Sequence, residues 1–175
     1  MLSLARSSLG EVLSACEFFD GSSAQIQFKH GHADPFGGAA FPFYVLIETS
    51  GSIASHDAEK LSVFLERVSD GIVESGVVAD SEKQITSFWA LRESLATGMR
   101  NESGWIHKYD VSVPVADMYR LVEDMRTRLG DRVMAVVGYG HLGDGNLHLN
   151  ILARKYDKEV SDMIEPFVFE WVGAF

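Results

Sequence analysis

Between Leu61 and Val73 the apolar positions Leu61, Phe64, Leu65, Val68, Ile72 and Val73 fall three or four apart, the spacing that lines one stripe of an α-helix. That rhythm predicts a helix over residues 55–74. A second run, Met118, Leu121, Val122, Met125 and Leu129, predicts a helix over 116–129, with Gly130 at the C′ position that a left-handed glycine usually fills. A third, Ile85, Phe88, Trp89, Leu91 and Leu95, opens at Ser81, which with Gln84 three residues on resembles a capping box. Shorter helices are expected around Leu2, Leu4 and Leu9, in "GSSAQIQFKH", and from Tyr156 to Val172, where Pro166 should interrupt.

Denser apolar runs predict strands in "VLSACEFF", "PFYVLIETSG", "GVVAD", the start of "GWIHKYDVSVPV", "RVMAVVGYGH" and "NLHLNIL". Gly31 to Phe41, rich in glycine with one proline, reads as a loop. Asp144-Gly145 between two such runs is a strong hairpin signal, because a type I′ turn needs positive φ at both central residues. A two-residue loop there pairs Gly143 with Asn146, Leu142 with Leu147, and His141 with His148, with Tyr139 and Asn150 as the next pair on the histidine face. On one uninterrupted strand an odd separation would send the two imidazoles to opposite faces. The turn brings them to one face, where both could reach a single metal ion. Zinc takes at least three protein ligands, so a carboxylate or third histidine would have to come from elsewhere. A surface hairpin with incidental histidines is the competing reading.

Strand and helix alternate, but the clear pairing signal is antiparallel. The expected class is therefore α+β, a largely antiparallel sheet with helices packed on one face. The GxGxxG spacing of Gly138, Gly140 and Gly143 leads into a second apolar alternation and opens no helix, and no P-loop is present, so a nucleotide is not held by either device.

Composition narrows the partners. The 175 residues, 46% hydrophobic and 23% charged, suit one globular domain over 1–175. A formal net charge of −10 argues against a nucleic-acid or anionic-membrane surface, while leaving room for a local basic site for a small acid. The lone Cys16 has no internal partner and reads as a small buried residue, which fits a reducing compartment. No apolar run approaches the ~20 residues needed to span a bilayer, so a soluble chain is expected. "MLSLARSSLG" has an arginine and serines but runs straight into periodic sequence, and reads as part of the fold rather than a transit peptide.

"GYGHLGDGNLHLNI" resembles the C-terminal domain of FAD-linked oxidases, the flavin-dependent 2-hydroxy-acid dehydrogenases. "LGEVLSACEFFD", "PFYVLIETSGS", "HDAEKL", "WALRES" and "KYDVSVP" resemble, in the same order, a mitochondrial branch of that family, so the likeness runs from about Leu9 to Trp171. The resemblance implies a ferredoxin-like substrate domain that caps a flavin bound mainly on a separate N-terminal domain. It implies zinc held by His141 and His148, substrate carboxylates gripped by Arg92 and Lys108, Asn150 beside the metal, and Thr97 as a further substrate contact. It also implies FAD and zinc as cofactors, a 2-hydroxy diacid as substrate, an electron-transfer flavoprotein as electron acceptor, and the mitochondrial matrix as location.

In the family a Glu-His-Gly segment after the "EW" helix supplies the remaining metal carboxylate and a proton-accepting histidine, whereas this sequence reads "EWVGAF" there. A truncated enzyme is the expectation, with a non-catalytic binding module as the alternative. Relatives acting on diacids and on shorter monoacids share the hairpin, which leaves substrate length open. Without the resemblance, Arg92 after "FWAL" reads as a helix-surface residue, Lys108 as a solvated strand charge and Asn150 as a group bonded to water.

Overall fold

The computed structural model describes residues 1–175. In chain order the elements are α1 (Leu2–Leu9), β1 (Leu13–Asp20), α2 (Gly21–Lys29), β2 (Phe43–Thr49), α3 (Ala54–Ser69), α4 (Glu82–Glu93), α5 (Leu95–Glu102), β3 (Trp105–Ser112), α6 (Met118–Leu129), β4 (Ala135–His141), β5 (Asn146–Ala153) and α7 (Lys158–Val172). The strands form one open sheet in the order β2-β1-β4-β5-β3, and every neighbouring pair is antiparallel. The expected antiparallel α+β class is the observed one.

Side chains alternate across the sheet with period two, so consecutive residues of β4 feed different cores. Val136 joins Phe18, Leu147, Leu149 and Ile151 on one face, packed by Leu121, Val122 and Met125 of α6 and by Val160, Ile164 and Val168 of α7. Val137 and Tyr139 join Phe19, Tyr44 and Leu152 on the other, against Ala24 of α2, Leu91 of α4, and Leu95 and Met99 of α5. Helices therefore cover both faces, not one as expected. The reason is that β4 and β5 carry apolar residues on both sides, and each side must be removed from water. Toward the β4–β5 tip the second face carries polar side chains in place of apolar ones, Glu17, His141, His148 and Asn150. A third cluster, Ala5, Leu9, Val12, Phe64 and Val68, joins α1 to α3.

Local chemistry explains several boundaries. Asp20 caps α2 by accepting from the Ser23 backbone N–H at 2.8 Å. Gln84 reaches back to the N–H of Asp80 at 2.7 Å rather than that of Ser81, and the Ser81 side chain makes no cap bond, so the expected capping box does not form. The helix expected to run through Leu95 is divided at Ser94, whose hydroxyl donates to Gln27 Oε1 at 3.0 Å. α3 stops at Ser69, five residues before the expected end, and "GVVAD" forms no strand, leaving Val77 and Val78 exposed. Two valines favour extended backbone, but without a neighbouring strand their amides gain no ladder. α7 continues through Pro166. No helix is long and apolar enough to cross a membrane.

Candidate functional site

The β4–β5 hairpin is present, but its connection is the four residues Leu142 to Gly145, and His141 pairs with Asn146. Gly145 has φ +72, whereas Asp144 is not left-handed, so the type I′ turn expected at Asp144-Gly145 does not form. Contacts from elsewhere hold the wider tip. The Leu142 N–H donates to the Cys16 carbonyl at 2.9 Å, and Leu142 packs against the α6–α7 core. Arg6 of α1 donates to the Gly143 carbonyl at 2.5 Å, and Asp144 Oδ1 accepts from the Asn146 N–H at 3.0 Å. Bonds to β1 and α1 thus outweigh the local turn preference.

Compared with the expected pairing, β5 is shifted by two residues, which leaves each side chain on its expected face. His141 and His148 do share a face. They are diagonal rather than opposed, with ring centroids 5.3 Å apart and Nε2 atoms 3.4 Å apart. In register, Glu17 of β1 lies opposite His141, Tyr139 and Asp110 flank His148, and Val137 and Lys108 flank Asn150.

Glu17, only 7% exposed, organises this face. Its Oε2 accepts from Arg92 Nε at 3.1 Å and Nη2 at 2.8 Å, and the same carboxylate lies 2.7 Å from His141 Nδ1. Arg92 on α4 is not the surface residue that helical periodicity suggests. It is 7% exposed, with its guanidinium carbon 5.0 Å from the centroid of the Tyr139 ring. The other side of the system is wetter: Asp110, largely exposed, places Oδ2 3.4 Å from His148 Nδ1.

Burial pushes the His148 imidazole below its ordinary pKa, the charges of Arg92 and His141 act in the same direction, and Asp110 and Glu17 oppose. The net shift favours the neutral imidazole, which has a ring lone pair. Burial likewise raises the Tyr139 phenol. Lys108 is exposed on β3, its amine drawn down first by partial desolvation and then by Arg100. Asn150 is 2% exposed; its Nδ2 donates to the His148 carbonyl at 3.3 Å, while Oδ1 has no partner. Thr97 lies exposed on α5, outside this hydrogen-bonded set.

Two nitrogens each about 2.0–2.1 Å from a tetrahedral zinc stand about 3.3–3.4 Å apart, which the Nε2 pair matches. His141 Nδ1 is hydrogen-bonded to a buried carboxylate, the usual arrangement behind a ligating histidine, whereas the carboxylate nearest His148 Nδ1 is exposed and 3.4 Å away. The pair is nevertheless half a ligand set, because no third histidine, cysteine or carboxylate converges on it. A cavity lined by Asp20, Phe43, Tyr119 and Arg126 among others contains none of these residues.

Sequence reasoning passed over Glu17 and Asp110 and gave Tyr139 no role. The available signal for Glu17 was a charge inside the apolar "SACEFF": a carboxylate on a buried strand must be answered by donors.

Comparison with known proteins adds an independent line. The family model described as FAD linked oxidases, C-terminal domain, matches residues 2–175. A rat protein named mitochondrial D-2-hydroxyglutarate dehydrogenase is 48% identical over 94% of this chain and 31% of its own length. A rice (subsp. japonica) protein named probable D-2-hydroxyglutarate dehydrogenase, mitochondrial, is also 48% identical, over 99% of this chain and 31% of its own. The Arabidopsis thaliana protein of the former name is 45% identical over 97% and 30%. The chain thus spans about a third of the length of the curated relatives it matches.

Proposed function

Because this chain belongs to the family of FAD-linked oxidase C-terminal domains, we propose that it is the metal- and substrate-binding part of an FAD-dependent mitochondrial D-2-hydroxyglutarate dehydrogenase. The reaction is oxidation of D-2-hydroxyglutarate to 2-oxoglutarate in the matrix, with electrons passing on to an electron-transfer flavoprotein. The names of the relatives support the substrate class and the location. The observation that carries the site is the 3.4 Å approach of His141 and His148 Nε2 beside a buried arginine.

When bound, FAD supplies a two-electron acceptor and zinc a positive charge beside the substrate hydroxyl. His141 and His148 would hold the zinc; no residue of this chain is assigned to the flavin, because Gly138, Gly140 and Gly143 lie in the β4–β5 hairpin and lead into no helix N-terminus. Arg92 binds one substrate carboxylate. Glu17 engages its Nε and one N–H of Nη2, so both N–H groups of Nη1 and the second of Nη2 are left to meet the substrate carboxylate, while the cation–π contact with Tyr139 supports the guanidinium. Lys108, a mobile point charge on the same face, takes the second carboxylate, with Thr97 as an outer contact. Asn150 Oδ1, buried without a donor, accepts from the hydroxyl and thereby orients it. The hydroxyl-proton acceptor is not assigned.

Calorimetric titration of the 175-residue chain tests this reading. Zinc should bind near one equivalent, and His148→Ala should weaken it at least tenfold. D-2-hydroxyglutarate should bind the zinc-loaded chain more tightly than D-lactate, and Arg92→Ala should abolish the difference. Equal zinc affinity in His148→Ala, or no preference for the diacid, would refute the corresponding half.

A further inference from the structure

We infer that Glu17 is a positioning residue that sets the tautomer and direction of His141 and ties them to Arg92. The inference builds on the proposed histidine pair and extends it to the group behind it. A carboxylate only accepts hydrogen bonds. With Glu17 Oε1 2.9 Å from His141 Nδ1, the ring proton sits on Nδ1, leaving the Nε2 lone pair aimed at His148. The backbone enforces the placement, because Glu17 and His141 are register partners across β1 and β4. Arg92 places two N–H groups on Oε2, so Oε1 is the oxygen that His141 does not share with it, and Tyr139 supports the guanidinium. Asp110 does not do the same for His148, since it is 3.4 Å away with its side chain 68% exposed. One buried carboxylate therefore joins the residue proposed to grip substrate to the residue proposed to hold metal.

Glu17→Gln is the informative substitution because it keeps the shape. The neutral amide has one acceptor oxygen, which Arg92, a permanent cation with two donors aimed at it, should capture. The amide NH2 then faces His141 Nδ1, which must become an acceptor, and the ring proton moves to Nε2. Two measurements on the 175-residue chain read this out. Two-bond 1H–15N NMR spectra of the metal-free protein at pH 8 report the tautomer. Competition against a chelating dye reports zinc affinity, with thermal melting to confirm folding.

The expected results are an Nδ1–H tautomer in the wild-type chain, Nε2–H in Glu17→Gln, and zinc binding weakened about 10–100-fold. Adding Arg92→Leu to Glu17→Gln frees the amide oxygen for His141 and should restore both the tautomer and most of the affinity, a rescue that a merely structural role would not produce. An Nδ1–H tautomer in Glu17→Gln, zinc affinity unchanged within twofold, or no rescue in the double variant would each overturn the inference. If the wild-type chain binds no zinc, the metal reading fails, and the tautomer comparison still decides the role of Glu17.

Discussion

Two carboxylates on β1 are buried and neutralised in different ways. Glu17 faces the histidines. Asp20, on the other side of the sheet and 1% exposed, accepts from Arg126 at 2.8 Å, Tyr119 Oη at 3.0 Å and the Gly138 N–H at 2.9 Å, besides capping α2. Asp20→Asn replaces acceptor capacity with a donor among donors, and should lower stability by about 1–3 kcal/mol, read from the denaturant midpoint. A change under about 0.5 kcal/mol would show that water and the exposed part of Arg126 compensate. His107, 8% exposed, has a buried Nε2 without a partner, and burial depresses its pKa although Glu165 pulls the other way. Its folded pKa lies below the unfolded value near 6.5, so on acidification the unfolded chain takes the proton first. Stability is therefore lost as pH falls from about 6.5 toward the folded pKa. His107→Phe should flatten that loss between about pH 7.5 and 5.5; an unchanged slope would assign the acid sensitivity elsewhere. Residue types were legible in the sequence to different degrees. His141, His148, Lys108 and Asn150 stand on strands whose alternation reveals their face. The burial of Arg92 depends on Glu17, which lies 75 residues away, and no local period encodes it.

At the scale of elements, patterns confined to one segment were readable and patterns shared between segments were not. The helical rhythm of Met118, Leu121, Val122, Met125 and Leu129 is intrinsic to α6 and became its buried face. The existence of the β4–β5 hairpin was equally legible, because alternation and Asp-Gly lie within it. Its register was not, since the Leu142–Cys16 bond and the Arg6–Gly143 bond originate in β1 and α1. "GVVAD" failed in the same way, as strand-forming residues that no other strand meets. The tip gives a direct test: a Cβ at Gly140 would stand 2.1 Å from the Asn146 carbonyl oxygen, a backbone atom that cannot move aside without opening the pair. Gly140→Ala should lower stability by about 1–3 kcal/mol and loosen protection of the Leu147 amide to hydrogen exchange. A wild-type melting temperature would mean the tip deforms freely.

The molecule as a whole has two cores pressed against the sheet and a smaller one, between α1 and α3, at its side. Phe64 is 2% exposed in that smaller cluster. Phe64→Ala should cost about 3–5 kcal/mol locally. Amide exchange should then accelerate in α1 and α3 while β4 and β5 keep most of their protection, the signature of subglobal opening. Uniform loss across all strands would show a single cooperative unit. The strand order carries a consequence in time. β1 acquires β2 early, but Glu17 waits 124 residues for His141. At about 5–20 residues per second of synthesis, that interval is roughly 6–25 s. Until then the β4-facing edge of β1 is an unfinished template, the kind of edge that pairs with the wrong chain, and early occupancy by a chaperone is the expected safeguard. Arg92, 75 residues after Glu17, emerges well ahead of the histidine. The nascent chain thus has the means to neutralise its buried carboxylate before the strand that needs it has been made.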